Sequence, residues 1–140
     1  MIRYLNSANG IRPDQLEGFF EGWPSPPSPD THIEILRGSY RVVLAVDDEI
    51  DSVVGFISAV SDGVLAAYIP LLEVLPSYRR RGIGRELVTR MQGELGDLYM
   101  VDLVCDEAME SFYAALGMKP AHAMTVRRYD RQSGITPESE

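Results

Sequence analysis

The residues best suited to chemistry in this 140-residue chain cluster between Glu73 and Tyr113. Arg79, Arg80, Arg81, Arg85 and Arg90 lie close together, although the chain carries only 13 lysines and arginines in all. Gly82 and Gly84 sit inside this cluster, where an amphipathic helix begins with Ile83, Leu87, Val88, Met91 and Leu95 along one side. A helix N-terminus presents unpaired N–H groups and the positive end of its dipole. Glycines there let a phosphate reach the backbone without meeting a Cβ, and arginines add charge-assisted hydrogen bonds. Residues Arg80–Arg85 therefore read as a diphosphate cradle, with a solvated helix face as the plainer alternative.

Three kinds of cradle compete for this segment. The P-loop is excluded because no Gly-Lys-Ser/Thr follows. The dinucleotide fingerprint is excluded because its third glycine would fall at Leu87. What remains is Arg/Gln-x-x-Gly-x-Gly/Ala, met by Arg79, Gly82 and Gly84, with Val74 and Pro76 ahead and Leu87-Val88 behind. Downstream stands Ser111-Phe112-Tyr113-Ala114-Ala115-Leu116-Gly117-Met118. The first pattern resembles the acyl-CoA pyrophosphate loop of the GNAT superfamily, and the second resembles that family's Phe-Tyr-x-x-x-Gly-Phe signature. The order of elements across residues 2–129 is similar as well.

That resemblance implies an acetyl-CoA-dependent N-acetyltransferase acting by direct attack of a primary amine on the acetyl thioester. It implies cofactor contacts from Leu72, Glu73 and Val74, from Arg79, Arg80, Arg81, Gly82, Ile83, Gly84 and Arg85, and from Asp106 and Tyr113. The pantetheine arm is expected between two splayed strands, near Leu72–Val74 and Tyr99–Val104, and a backbone N–H near Glu73 or Val74 is expected to meet the oxyanion. Tyr113 matches the family's general acid, a phenol near ~10 facing a thiolate near ~8.5; its alternative role is packing against the cofactor. Tyr68 sits where relatives place base-like groups. Two residues depart from the family pattern: Asp106 replaces a frequent Asn, and Met118 replaces the usual aromatic after Gly117.

Glu73 stands out without any resemblance. It is a carboxylate inside the apolar run Ile69-Pro70-Leu71-Leu72-Glu73-Val74, where a charge is costly without purpose or partner. It reads either as a base or as the partner of one of the arginines. Cys105 ends a predicted strand and reads as core before nucleophile. His32 and His122 lack metal-ligand spacing, so no metal is expected. Phe19, Phe20 and Trp23 divide evenly between core and a substrate-pocket wall.

The elements that must position these residues follow from periodicity and punctuation. Met1–Leu5 reads as an edge strand, and Pro13 starts a helix carrying Leu16, Phe19 and Phe20. The proline-rich run from Gly22 is a loop. Ser28 and Pro29 cap a second helix that Gly38 stops. Arg41–Val46 and Val53–Val60 are strands around an acidic turn, and Val64–Val74 is a third, with a bulge or strand separation expected at Pro70. Helix Gly82–Leu95, strand Tyr99–Val104, helix Glu107–Leu116 and a last strand Met124–Tyr129 follow. The expected architecture is α/β (α+β): a mixed, mostly antiparallel sheet of six to seven strands with about four helices, splayed between its fourth and fifth strands. One domain spans residues 1–130, and residues 131–140 form a polar, disordered tail.

Composition narrows the partners. The net charge of -8 argues against nucleic-acid binding and leans toward a cationic small amine as acceptor. Cys105 is the only cysteine, which fits a reducing, cytoplasmic setting, and no apolar run is long enough for a membrane span. The acceptor is expected to be a small molecule or peptide, and a homodimer sharing the Met124–Tyr129 edge is a further expectation. The competing reading is a non-catalytic acyl-CoA-binding sensor on the same fold; a phosphate-binding domain unrelated to CoA has to treat the Phe-Tyr and Gly117 signature as coincidence.

Overall fold

In the computed structural model, which describes residues 1–135, five strands form one sheet in the order β1-β2-β3-β4-β5. The strands are β1 (Ile2–Leu5), β2 (Arg41–Asp47), β3 (Ser52–Ser61), β4 (Ala66–Val74) and β5 (Met100–Asp102). The first four run antiparallel to their neighbours and β5 runs parallel to β4. Strands β2 and β3 are apolar on both faces because both faces are covered, each by its own packed cluster.

On one face, helix α1 (Pro29–Gly38) and the loop before it bring Leu16, Phe19, Phe20, Ile33 and Leu36 against Leu44 and Phe56. As predicted, Ser28 accepts a hydrogen bond from the Thr31 amide at 3.1 Å and Pro29 opens the helix. On the other face, helix α2 (Ile83–Glu94) buries Ile83, Leu87, Val88 and Met91 against Val43, Ala45, Val54 and Ile57. Each such side chain contributes roughly 1.5–3 kcal/mol by leaving water. Gly55 sets how closely α2 docks: a Cβ there would lie 3.2 Å from Leu87 Cδ1 and 3.3 Å from Ile83 Cγ2. Because Gly55 pairs with Val74 in the sheet, this approach brings the start of α2 to the end of β4.

The irregularity expected at Pro70 is present. Ser58 pairs with Leu71 but Val60 pairs with Tyr68, so β4 carries one extra residue around Ile69-Pro70. The splay between the fourth and fifth strands is present too. Their pairing runs Ala66↔Met100, Ala67↔Val101 and Tyr68↔Asp102 and stops there.

Several expectations need correction. The helix predicted from Pro13 is only a 3-10 turn, Pro13–Gln15. Gly18, Phe20 and Gly22 adopt φ of +92°, +63° and +83°, which no helix can accommodate. Phe19 and Phe20 are buried all the same, from a loop. The strand predicted over Tyr99–Val104 shortens to Met100–Asp102, because β4 turns away after Tyr68 and offers no further partner. The helix predicted over Glu107–Leu116 divides into a 3-10 turn, Glu107–Met109, and α3 (Glu110–Ala114). It closes at Gly117, whose φ is +89°, with Met118 N donating to Tyr113 O at 3.1 Å.

Among the described residues no strand forms at Met124–Tyr129, so the sheet has five strands rather than six or seven and three α-helices rather than about four. Met124 and Val126 are exposed there, and the outer edge of β5 has no partner strand. Of the tail expected at 131–140, residues up to 135 are described. Tyr129–Arg131 is a 3-10 turn, and Gln132 Oε1 accepts from the Ser25 amide at 2.9 Å. Residues 136–140 lie outside the described residues.

Candidate active site

Beyond Tyr68, β4 has an open edge, and the chain after β5 diverges from it. Between them lies a cleft of about 880 Å³. One wall is Leu72, Glu73 and Val74, and the facing wall runs from Leu103 to Asp106. Phe112 and Tyr113 of α3 close one side, while Gly82, Ile83 and Gly84 bring the start of α2 to the cavity.

That helix start has the features that suit an anion. Gly82 is its N-cap with φ +81°, a conformation that favours glycine, and no side chain caps the helix. Its first amides are therefore left without an internal acceptor. Arg80 also adopts a left-handed φ of +64°, which for a non-glycine costs on the order of 1 kcal/mol. Arg80 and Arg85 line the cleft, and among the described residues neither has an ion-pair partner. A Cβ on Gly84 would meet Phe112 and Val74 at ordinary contact distances of 3.7 and 3.8 Å, so this glycine leaves a shallow recess between β4 and α3.

The other arginines are already committed. Arg79 Nε donates to Val74 O at 3.0 Å, and its Nη1 lies 3.4 Å from Glu21 Oε1. Arg81 does not line the cleft; its guanidinium sits 4.9 Å from the centre of the Tyr78 ring. The Tyr78 hydroxyl in turn donates to Asp47 Oδ2 at 2.5 Å, tying the loop to the end of β2. That bond, together with one from the Glu49 amide, holds the Asp47 carboxyl below the usual carboxylate range.

Tyr113 is half-buried against Phe112, with the rings edge to face at 5.0 Å. Burial, and then the charge of a Cys105 thiolate, push its phenol up to about 12. It therefore stays protonated across the working pH range and is available as a proton donor, not as a base.

The acetyltransferase (GNAT) family model matches residues 8–118. The chain belongs to the GNAT acetyltransferase family. An acetyltransferase structure from Deinococcus radiodurans R1 is 52% identical, covers 96% of this chain and 94% of its own, and superposes with a TM-score of 0.93. A GNAT-family structure from Streptococcus pneumoniae TIGR4 is 27% identical over 91% of this chain and 99% of its own, with a TM-score of 0.73. An aminoglycoside N-acetyltransferase solved with CoA shares the fold at 20% identity, over 91% of this chain and 93% of that one, with a TM-score of 0.63. Comparison with the curated proteins found no match.

Within this GNAT domain the cleft gathers eleven of the predicted site residues. These are Leu72, Glu73 and Val74 of β4, Arg79, Arg80, Gly82, Ile83, Gly84 and Arg85 around the start of α2, and Asp106 and Tyr113 opposite. Two predicted residues stand apart. Tyr68 lies at the last β4–β5 pair, and Arg81 is folded back onto Tyr78. Cys105, read from sequence as core, is exposed and lines the cleft, because β5 ends before it. Arg127 and Met109 also line the cleft, and sequence reasoning missed both. The Asp47–Tyr78 bond was missed as well, since it joins residues 31 positions apart and no local pattern marks it.

Glu73 also reaches a second cavity, of about 290 Å³, on the α1 side of β4. Its carboxylate accepts from the Phe20 amide at 2.8 Å and the Glu21 amide at 3.2 Å. This replaces the arginine partner that sequence reasoning had allowed. Pro70, Leu72, Glu73 and Arg79 line both cavities, so the two meet across β4. Phe20 and Trp23 wall the second cavity together with Phe56. Among the described residues no three metal-binding side chains converge, and no helix is long and apolar enough to cross a membrane.

Proposed function

We propose that this GNAT domain transfers the acetyl group of acetyl-CoA to a primary amine of a small molecule or peptide. One observation carries the reading: an uncapped helix start with two arginines that have no ion-pair partner among the described residues opens onto the free edge of β4, in a cleft that Tyr113 lines. The residues present fit the cofactor. Amides at Ile83 and Gly84, with Arg80 and Arg85, suit a diphosphate. The open backbone edge of β4 suits an amide-bearing arm. Leu72 and Val74 suit its apolar portions.

Bound acetyl-CoA supplies a thioester that a neutral amine attacks: the C–N bond forms, the C–S bond breaks, and the thiolate leaves with its electron pair. Tyr113 presents a protonated hydroxyl to the departing sulfur and donates as the charge develops there. A phenol near 12 gives its proton up only as that charge appears, and solvent restores it. Glu73 sits where both cavities meet and takes the amine's proton, directly or through water. Asp106, facing the cleft without capping the turn it begins, bonds an amide N–H of the arm.

Calorimetric titration with acetyl-CoA, and with ADP as control, tests this reading. Binding of acetyl-CoA that exceeds ADP binding, followed by amine-dependent CoA release, is expected. Binding without turnover of any amine would favour the sensor reading, which draws on the engagement of Glu73 by two backbone amides. No binding of acetyl-CoA would overturn both. The exposed Met124, Val126 and Tyr129 and the unpaired β5 edge also support a homodimer, which sedimentation at several concentrations would reveal. The single exposed thiol, Cys105, fits a reducing compartment such as the cytoplasm.

A further inference from the structure

The cations of this acidic chain are concentrated in two stretches. Nine of its 13 lysines and arginines fall within residues 79–90 and 119–131, on a chain of net charge -8. The first stretch opens α2. The second carries Lys119, Arg127, Arg128 and Arg131 against a single acid, Asp130.

The second stretch runs from α3 to the start of α1 and is held at both ends. At one end Gln92 Nε2 donates to Leu116 O at 3.1 Å, just before the stretch begins. At the other, the Ser25 amide donates to Gln132 Oε1 at 2.9 Å, and a Cβ on Gly134 would lie 3.0 Å from Thr31 Cγ2. Between these anchors residues 119–130 are all exposed. Among the described residues they join no strand, and their amides donate no backbone hydrogen bond. From this span Arg127 lines the cleft, while Met124 and Val126 stay exposed. Among the described residues Arg127 has no ion-pair partner, and its guanidinium meets only the neighbouring Val126 carbonyl, at 3.4 Å.

The cleft is cationic on balance. Arg79, Arg80, Arg85 and Arg127 line it against two carboxylates, Glu73 and Asp106. Arg80 and Arg85 stand at the start of a packed helix, whereas Arg127 stands on backbone that no ladder restrains. An anion in the cleft therefore has one cation it can draw in together with the chain that carries it. We propose that residues 119–131 form a cationic strap that closes over bound acetyl-CoA, drawn in by Arg127. The proposal rests on the acetyl-transfer reading for its ligand and adds a wall to the cleft besides β4, the start of α2 and α3. The two anchors make closure inexpensive, since the ends of the strap are already fixed before the ligand arrives.

Hydrogen–deuterium exchange of the full chain, with and without saturating acetyl-CoA, tests the strap, and calorimetry measures binding on the same samples. One exposed ion pair is a small effect, so amides of residues 121–128 should exchange about two- to fivefold more slowly with acetyl-CoA bound. Closure and affinity are linked, so Arg127→Gln should abolish this slowing and weaken acetyl-CoA binding by the same factor. Arg128 lies outside the cleft, so Arg128→Gln should keep most of the slowing. Trypsin should cut after Arg127 and Arg128 more slowly when acetyl-CoA is present. Binding of acetyl-CoA with unchanged exchange in the strap would overturn the proposal and leave the acetyl-transfer reading standing. Slow exchange of residues 121–128 before any ligand is added would overturn it too, because something other than the cofactor would then hold the strap. An equal loss of slowing in Arg127→Gln and Arg128→Gln would overturn the assignment to Arg127. No binding of acetyl-CoA would overturn the acetyl-transfer reading, and the strap with it.

Discussion

Glu73 Oε1 accepts a hydrogen bond from the Phe20 backbone amide at 2.8 Å, across 53 residues of chain. Glu73 belongs to the strand that edges the larger cleft, and Phe20 walls the smaller cavity. One carboxylate thus fixes the distance between the two. It also holds Phe20 in its left-handed backbone conformation, φ +63°, which a bulky residue does not adopt unaided.

Replacing Glu73 should separate its structural and chemical roles. Glu73→Ala leaves the Phe20 amide without an acceptor beside a buried ring and should cost about 1–3 kcal/mol in urea unfolding. Glu73→Gln keeps one acceptor oxygen and should cost less. If Glu73 takes the amine's proton, turnover in Glu73→Gln should fall and the acid limb of its pH profile should move. An unshifted acid limb would remove Glu73 as the base.

Tyr113→Phe should lower kcat by about 10²- to 10⁴-fold, the range typical of a lost proton donor. The ring that packs on Phe112 is kept, so acetyl-CoA affinity by calorimetry should change by less than about twofold. Because burial raises the phenol to about 12, Tyr113 should contribute no basic limb to the pH profile below about pH 10. Unchanged turnover in Tyr113→Phe would take it out of the mechanism.

The Asp47–Tyr78 bond should matter for cofactor binding although neither partner is an arginine of the loop. Tyr78→Phe keeps the ring beneath Arg81 but releases the loop from β2. With that tether lost, acetyl-CoA affinity should fall by about two- to tenfold. Asp47→Asn should act in the same direction. An unchanged dissociation constant in both variants would mean the loop is held by its other contacts alone.

What could be read from the sequence was what local rules determine. Ser28-Pro29 marked a helix start, β-branched runs marked β2 and β3, and Gly82 and Gly84 marked the start of α2. Leu16, Phe19 and Phe20 repeat at helical spacing yet occupy a loop, because Gly18 and Gly22 permit positive φ and tertiary burial overrides the pattern. Met124–Tyr129 alternates like a strand, but a strand exists only where a partner edge receives it, and composition does not report the partner. The second cavity was hidden for a related reason. Its walls come from residues 20–23, 56 and 70–79, which only the completed sheet brings together.

His32 provides a test of the core that is independent of catalysis. It is 1% exposed, packed among Phe19, Phe20 and Phe56, and neither ring nitrogen has a hydrogen-bond partner. Burial therefore pushes its pKa down from 6.5 to about 4. The unfolded chain binds a proton at this residue below pH 6.5, while the folded protein refuses it until about pH 4. Stability should accordingly fall as the pH drops through that window and level off below it, with His32 accounting for about 3 kcal/mol of the loss. His32→Leu removes both the titration and two unsatisfied buried nitrogens. Urea unfolding at several pH values from 7.5 to 4 should give a difference between the two proteins that widens steadily in favour of the leucine variant as pH falls. A constant difference across that range would mean that His32 is protonated in the fold, or that the aromatic cluster opens to admit water.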